Sequence, residues 1–341
     1  MQNISRRKFL KDASLGLGGL ILASLTGCKT ATPQPFSPTQ NILTKIISTE
    51  SSTVPPVPET TSTSEPTLPT KLPDLAVSRN GEPEIMVRQV IEALGGMNQF
   101  VPFGANVIIK PNICVAYHTY EYAATTNPWV VGALVKLCFE AGAASVKVMD
   151  NPFGGTAEEA YKISGIADMV NAAGGEMIFM VNRKFIHTSI PNAIKLKEVS
   201  VYEDILKTDV LINVPIAKTH GLATLTLGMK NLMGTILKRE SLHAQLGDNL
   251  ADLAGFLRPA LTVIDGIRVL MANGPTGGSL SDVKQMNTII ASRDIVAADS
   301  YAASTLFGMD PLSLSYITSG TSAGLGSADI HQLQIEEISN L

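Results

Sequence analysis

Four polar side chains, Lys218, His220, Lys230 and Asn231, interrupt an apolar, glycine-rich run, NVPIAKTHGLATLTLGMKNLMGTI, from Asn213 to Ile236. Isolated charges are costly to take out of water, so cations in such a run imply something that pairs with them. A lysine binds an anionic group as a point charge, or acts as a base when burial lowers its pKa. A histidine moves protons near neutral pH or ligates a metal. On a strand, side chains two apart share a face, which would set Lys218 beside His220. In GMKNLMG (Gly228 to Gly234) the glycines permit close approach of backbone to a ligand or another segment, with Lys230 and Asn231 placed to meet an oxyanion or carboxylate. The plain alternatives are an exposed loop and a glycine-punctuated turn before a helix.

These residues need a scaffold. Apolar, β-branched runs predict strands at 106–112, 145–152, 176–181, 209–216, 261–267 and 287–292, and helical patterns fall at about 83–95, 128–140, 157–173, 241–257 and 295–307. Asn127 and Asp294 stand where helix caps belong, and Pro128 takes a first helical position. The alternation predicts an α/β fold, a mostly parallel sheet flanked by helices in a Rossmann-like three-layer sandwich.

Several strands end in polar residues: IIKPN, VMDNP, INVPIAKTH and VIDG. Open parallel sheets gather ligands beyond such carboxyl ends, which would bring Lys110, Asn112, Asp150, Asn151, Lys218, His220 and Asp265 to one cleft. Taken singly, Asp150, Asn151 and Asp265 also read as turn or cap residues. Arg239 and His243, four apart, would share a helical face and could reach the cleft, or form a solvated face. A metal site of His220, His243 and an aspartate has suitable ligand types without a supporting spacing, so metal and cofactor stay unassigned. NGPTGG (Asn273 to Gly278) is a turn or a lid.

The chain's 341 residues, 45% apolar and 16% charged, suffice for a substantial core. SRRKFLK (Ser5 to Lys11) before an apolar run, Ala13 to Gly27, resembles a twin-arginine export signal. LTGC (Leu25 to Cys28) resembles a lipobox, with Cys28 the lipidated residue after cleavage. The expected organisation is a signal over 1–27, a disordered Pro/Thr/Ser-rich tether over 28–75 and one α/β domain over 76–341. That places the domain on the outer side of the cytoplasmic membrane, or at an outer membrane where the cell has one, held by a lipid anchor. Residues 1–27 carry a net +3, so the formal charge of −4 becomes −7 without them, which argues against nucleic acid as a partner. Cys114 and Cys138 remain beside Cys28. Both sit in apolar contexts and read as buried thiols, with a disulfide the alternative.

VIIKPNI, TTNPWVVGALVKLCFEAGA, VMDNP, DVLINVPIAKTHGLATLTLGMKNLMG, VIDGI and ASRDIVAADSYAASTLFGMDP together resemble the bacterial and archaeal family catalogued as domain of unknown function 362, over roughly residues 83–320. The resemblance implies no established reaction. Many members also carry ferredoxin-like cysteine motifs. This chain has none, and its own cysteines cannot supply the four thiolates of an ordinary cluster, so no iron–sulfur cluster is expected from them. The expectation is an exported, membrane-tethered enzyme whose cleft takes a small anionic substrate or cofactor, with a redox link through an exported partner. Lys110, Lys218 and Lys230 would hold negative charge, His220 would transfer protons or bind metal, and Asp150 and Asp265 would orient the cations or bind a metal. A non-catalytic ligand-binding lipoprotein, or a scaffold for exported redox proteins, are the alternatives.

Overall fold

The computed structural model describes residues 71–340, so the expected signal, Cys28 and the tether up to residue 70 lie outside the described residues. In chain order the regular elements begin with β1 (Leu75–Arg79), α1 (Pro83–Ala93), β2 (Asn106–Pro111), α2 (Pro128–Glu140), β3 (Ser145–Val148), α3 (Ala157–Ile163) and α4 (Ile166–Ala172). Then come β4 (Glu176–Met177), β5 (Phe185–Ser189), β6 (Glu198–Tyr202), α5 (Glu203–Lys207), β7 (Val210–Val214), β8 (Ile216–His220) and β9 (Thr224–Thr226). The chain continues through α6 (Gly228–Asn231), α7 (Leu246–Leu257), β10 (Leu261–Leu270), β11 (Val283–Ser292), α8 (Ile295–Phe307), α9 (Ser315–Ser322) and β12 (Ile335–Ser339).

The main sheet runs β12, β1, β11, β10, β7, β2, β3, β4, with β8 paired to β10 and β9 to β8. From β10 to β4 every pairing is parallel. β11 is antiparallel to both β10 and β1, and β5 and β6 form a separate antiparallel ribbon. Alternation along the strands builds the layers. Val107, Ile109, Ile212, Val214 and Val263 enter a core shared with α1, α2 and α4, whereas Ile108, Leu211 and Ile264 of the same strands enter a core shared with α7, α8 and α9. Burial on both faces is why these strands are nearly continuous apolar runs. The fold is α/β, a mostly parallel mixed sheet flanked by helices, as expected.

Helices α2 and α8 start where their caps predict: Asn127 accepts from the Trp129 N–H at 3.0 Å and Asp294 from the Ala297 N–H at 2.8 Å. Other elements differ for local reasons. The helix expected over 157–173 is two helices, because Gly165 takes φ 75° and the Ser164 hydroxyl accepts from the Ile166 N–H. The strand expected over 209–216 divides at Pro215, which has no N–H for the ladder. Beyond it β8 leaves β7 and pairs with β10. The helix expected from 241 starts at Leu246, after a 3-10 segment over Arg239–Gln245. The strand expected over 176–181 shrinks to the two residues of β4. β1 begins at Leu75, the last residue assigned to the tether, and is fully buried there between β11 and β12.

The order around β2 positions the site. Its successor β3 lies on one side and β7 on the other, so the loops leaving β2 and β7 diverge at their carboxyl ends and open a crevice between them.

Candidate functional site

Lys110 of β2 and Asn213 of β7 are register partners at those carboxyl ends, and both are buried. Asn231, the last residue of α6, lies against both. Its amide Nδ2 donates to the Lys110 carbonyl at 3.2 Å and to Asn213 Oδ1 at 2.8 Å, and its Oδ1 accepts from Lys110 Nζ at 2.7 Å and Asn112 Nδ2 at 2.9 Å. Two donated and two accepted bonds saturate the amide. At the other end of α6, the N–H groups of Gly228 and Met229 donate to the Asp299 carboxylate of α8 at 2.6 and 2.9 Å. Burial raises the Asp299 pKa to about 7 against the pull of those two bonds. A Cβ on Gly228 would stand 2.6 Å from Asp299 Oδ1, so the glycine is what allows the contact.

The four cations of the cleft are met unequally. Lys110 pairs with Asp150 at 3.0 Å, both essentially out of solvent, and Asp150 also accepts from the N–H groups of Ile113 and Asn151 at 2.6 and 2.8 Å. Burial lowers the Lys110 pKa to about 8, with Asp150 opposing it. Gly234 abuts this pair: a Cβ there would fall 1.9 Å from Asp150 Oδ1 and 2.7 Å from Lys110 Nζ. Lys218 donates to Asn112 Oδ1 at 3.0 Å and the Ala124 carbonyl at 2.6 Å, both neutral, and burial lowers its pKa. Arg239 donates to the carbonyls of Asn151 and Pro152 at 2.8 and 3.1 Å. Lys230, only 8% exposed, meets no hydrogen-bond acceptor and no carboxylate among the described residues. Burial, then Lys218, Arg239 and Lys110, lower its pKa to about 8.

Lys218 and His220 do share a face of β8 and line the same cleft. His220 Nδ1 accepts from the N–H groups of Leu222 and Ala223 at 3.1 and 3.2 Å, which assigns the ring hydrogen to Nε2. Burial and then Lys230, Lys218 and His243 push its pKa down to about 3. At neutral pH His220 is therefore a hydrogen-bond donor held neutral. Taking up a proton or binding a metal through Nε2 would first require that arrangement to be broken, contrary to the expectation of a proton-transferring or ligating His220. His243 has the opposite polarity: Nδ1 donates to the Glu240 carbonyl at 3.2 Å, and Nε2 is shielded from solvent with no partner. The two rings are 6.3 Å apart. Among the described residues no group of three His, Cys, Asp or Glu side chains is placed to hold a metal.

Ten predicted site residues, namely Lys110, Asn112, Asp150, Asn151, Lys218, His220, Lys230, Asn231, Arg239 and His243, line one cleft of about 300 Å³. Asp265 does not. It is buried, accepts from the N–H groups of Asn127 and Ile267 at 2.7 and 3.0 Å, and ties β10 to the start of α2. Burial raises its pKa to about 6. Arg239 and His243 reach the cleft from a 3-10 segment rather than an α-helical face. The NGPTGG loop is pinned to β8: the Gly274 N–H donates to Thr219 Oγ1 at 3.2 Å, and a Cβ at Gly274 would lie 1.8 Å from the Thr219 carbonyl oxygen. Cys114 also lines the cleft, and both Cys114 and Cys138 are buried and free. Asp299 and Asn213 were not singled out in the sequence; Asn213 had a signal, as the one polar residue of the apolar strand β7.

A family model described as "Domain of unknown function (DUF362)" matches residues 107–304. A thylakoid-associated protein of Synechocystis sp. is 27% identical over 249 residues, 70% of this chain and 74% of that one. Among solved structures, the lactate racemase apoprotein of Thermoanaerobacterium thermosaccharolyticum matches with a TM-score of 0.40 and 12% identity, over 67% of this chain and 56% of that one. A Thermotoga maritima protein matches with a TM-score of 0.37 and 12% identity, over 72% of this chain and 60% of that one. The chain thus spans less than two thirds of either solved structure.

Two outcomes follow from this packing. Gly234→Ala drives a methyl group into the Lys110–Asp150 pair and should cost roughly 3–5 kcal/mol, the range for breaking a buried pair, read as a lower denaturant midpoint. For Asp299, the folded pKa of about 7 lies above an unfolded value of about 3.9, so the folded state retains a proton the unfolded chain has lost between those pH values. That contribution is full below pH 4 and is lost as pH rises through 7. Urea unfolding at pH 4.5 and 7.5 should show wild type losing stability relative to Asp299→Asn across that interval.

Proposed function

The chain belongs to the family described as domain of unknown function (DUF362), and from that premise we propose that its cleft is the site of an enzyme acting on a small anionic substrate or cofactor. The carrying observation is the imbalance of charge. Lys110 has Asp150, but Lys218 is met by two neutral oxygens and the Cys114 sulfur, Arg239 by neutral carbonyls, and Lys230 by no hydrogen-bond acceptor or carboxylate among the described residues. Cations crowded into a largely buried site raise one another's free energy, and an anion entering the cleft offsets that cost. Asn112, hydrogen-bonded to both Lys218 and Asn231, and the Nε2–H of His220 add neutral polar groups for orientation.

The domain is exported and tethered outside the cytoplasmic membrane. The Arg6–Arg7 pair, the apolar run after it and Cys28 support this reading. The thylakoid association in the relative's name agrees with a membrane location. No helix among the described residues is long and apolar enough to cross a membrane; in this reading Cys28 carries the lipid anchor. The export route and family context favour a redox-linked role. A non-catalytic solute-capturing lipoprotein is the second reading, favoured by His220, whose pKa of about 3 suits a fixed donor better than a proton shuttle.

Sulfate or acetate should raise the melting temperature of wild type, and Lys218→Met or Lys230→Met should weaken that binding roughly tenfold or more, the loss of one charge-assisted contact. The affinity should fall as pH rises through about 8, where Lys230 loses its proton. Variants that stay folded and bind these anions as wild type does would sink the cleft reading. Turnover on a ligand released from natively exported protein, measured by mass spectrometry, separates enzyme from binder. For localisation, the double change Arg6→Lys and Arg7→Lys should leave the chain in the cytoplasm, and Cys28→Ser should release it from the membrane fraction after export.

A further inference from the structure

Three lysines line the cleft, but their nitrogens are not equivalent. Lys110 Nζ is engaged by Asp150 and Asn231, and Lys218 Nζ by Asn112 and the Ala124 carbonyl. These contacts occupy the directions from which each nitrogen could attack. Lys230 has no such constraint. It is nine-tenths buried, makes no hydrogen bond or ion pair among the described residues, and sits within the field of Lys218, Arg239 and Lys110. A desolvated lysine beside other cations is the arrangement that turns an ammonium into a neutral nucleophile near physiological pH. Its backbone is held at both ends of α6, by Asp299 at Gly228 and Met229 and by Asn231 across β2 and β7, so the amine is presented by a fixed element.

We propose that Lys230 is a covalent catalytic residue that condenses with the aldehyde or ketone of a small oxo acid, while Lys218 and Arg239 receive the acid's negative charge. The Lys230 nitrogen attacks the carbonyl carbon, the carbonyl oxygen departs as water with the two amine hydrogens, and an imine joins ligand to protein. No oxidant or reductant is needed. The neutral Nε2–H of His220, in the same cleft, is a donor for the departing oxygen. This inference rests on the anionic-ligand reading for its substrate class, but the nucleophile is argued from the lysine's own surroundings.

Reductive trapping tests it. The full chain is incubated with glyoxylate and cyanoborohydride at pH 7.5, then digested and mapped by mass spectrometry. A lysine titrating near 8 has roughly a 10²-fold larger neutral fraction at this pH than an ordinary one. Lys230 should therefore label at least about tenfold faster than the exposed Lys162 and Lys195. Its rate should level off above about pH 8. Lys230→Arg should lose the adduct. Labelling that spreads over surface lysines, or falls on Lys218 or Lys110 in preference to Lys230, overturns the proposal. If wild type still binds acetate in that case, the anion reading survives alone. Acetaldehyde, an uncharged aldehyde, separates the two claims in the other direction. Labelling of Lys230 as fast as by glyoxylate supports the nucleophile and removes the anionic substrate class.

Discussion

One side-chain amide, that of Asn231, joins the sheet to the short helix that carries Lys230. Its four hydrogen bonds span β2, β7 and the β2–α2 loop, and they include a bond to the Lys110 ammonium itself. α6 has only four residues, too few to be stable by its own hydrogen bonds. It exists because Asp299 caps its first N–H groups and Asn231 fixes its last residue. An apolar residue in place of Asn231 would leave a buried carbonyl, a buried amide and part of an ammonium unsatisfied at once, which is why a saturated polar network has few tolerated substitutes.

The same network sorts the lysines by role. Lys110 arrives at the carboxyl end of a fully buried strand, where an unpaired ammonium would be untenable, and Asp150 at the end of the neighbouring strand answers it. This pair contributes almost no net charge to the cleft. Lys218, Lys230 and Arg239 do, because their contacts are neutral or absent. Desolvation dominates every lowered lysine pKa here; like charge adds to it at Lys110 and Lys230, whereas Cys114 and Asp150 oppose it at Lys218. The scaffold holds the ammonium groups in a medium that favours their neutral form, at a cost to the folded state that an arriving anion offsets.

Much of this arrangement was legible in the amino-acid order. Apolar runs ending in Lys110, Asp150 and Lys218 mark strand ends because a buried parallel strand tolerates polar residues only where it leaves the sheet. That logic pointed to Lys110, Asn112, Asp150, Asn151, Lys218 and His220, which line one cleft together with Lys230 and Asn231 of the glycine-rich segment and Arg239 and His243. It failed for Asp265 because a carboxylate at a strand's polar break serves a nearby backbone N–H as readily as a ligand, and here Asn127 and Ile267 claim it. It failed to find Asp299, whose partners lie about 70 residues away on α6, a distance no local pattern encodes. The division of 209–216 at Pro215 follows a local rule, whereas the pairing of β8 with β10 is set by contacts remote in sequence. Histidine polarity was likewise invisible, since it depends on backbone N–H groups presented by the turn after His220.

The glycines show why the cleft is rigid rather than adaptable. At Gly228, Gly234 and Gly274 the missing Cβ makes room for Asp299, for the Lys110–Asp150 pair and for the Thr219 carbonyl, all parts of the protein itself. The expectation that such glycines admit a ligand is met only indirectly: they let the walls close on one another. A wall packed this tightly has little freedom to rotate a side chain toward Lys230. Among the described residues Lys230 has no hydrogen-bond acceptor, and Asp150 of the same cleft is already held by Lys110 and two backbone N–H groups. A cation left without a fixed partner is available to whatever enters the cleft, and its surroundings are set before the ligand arrives.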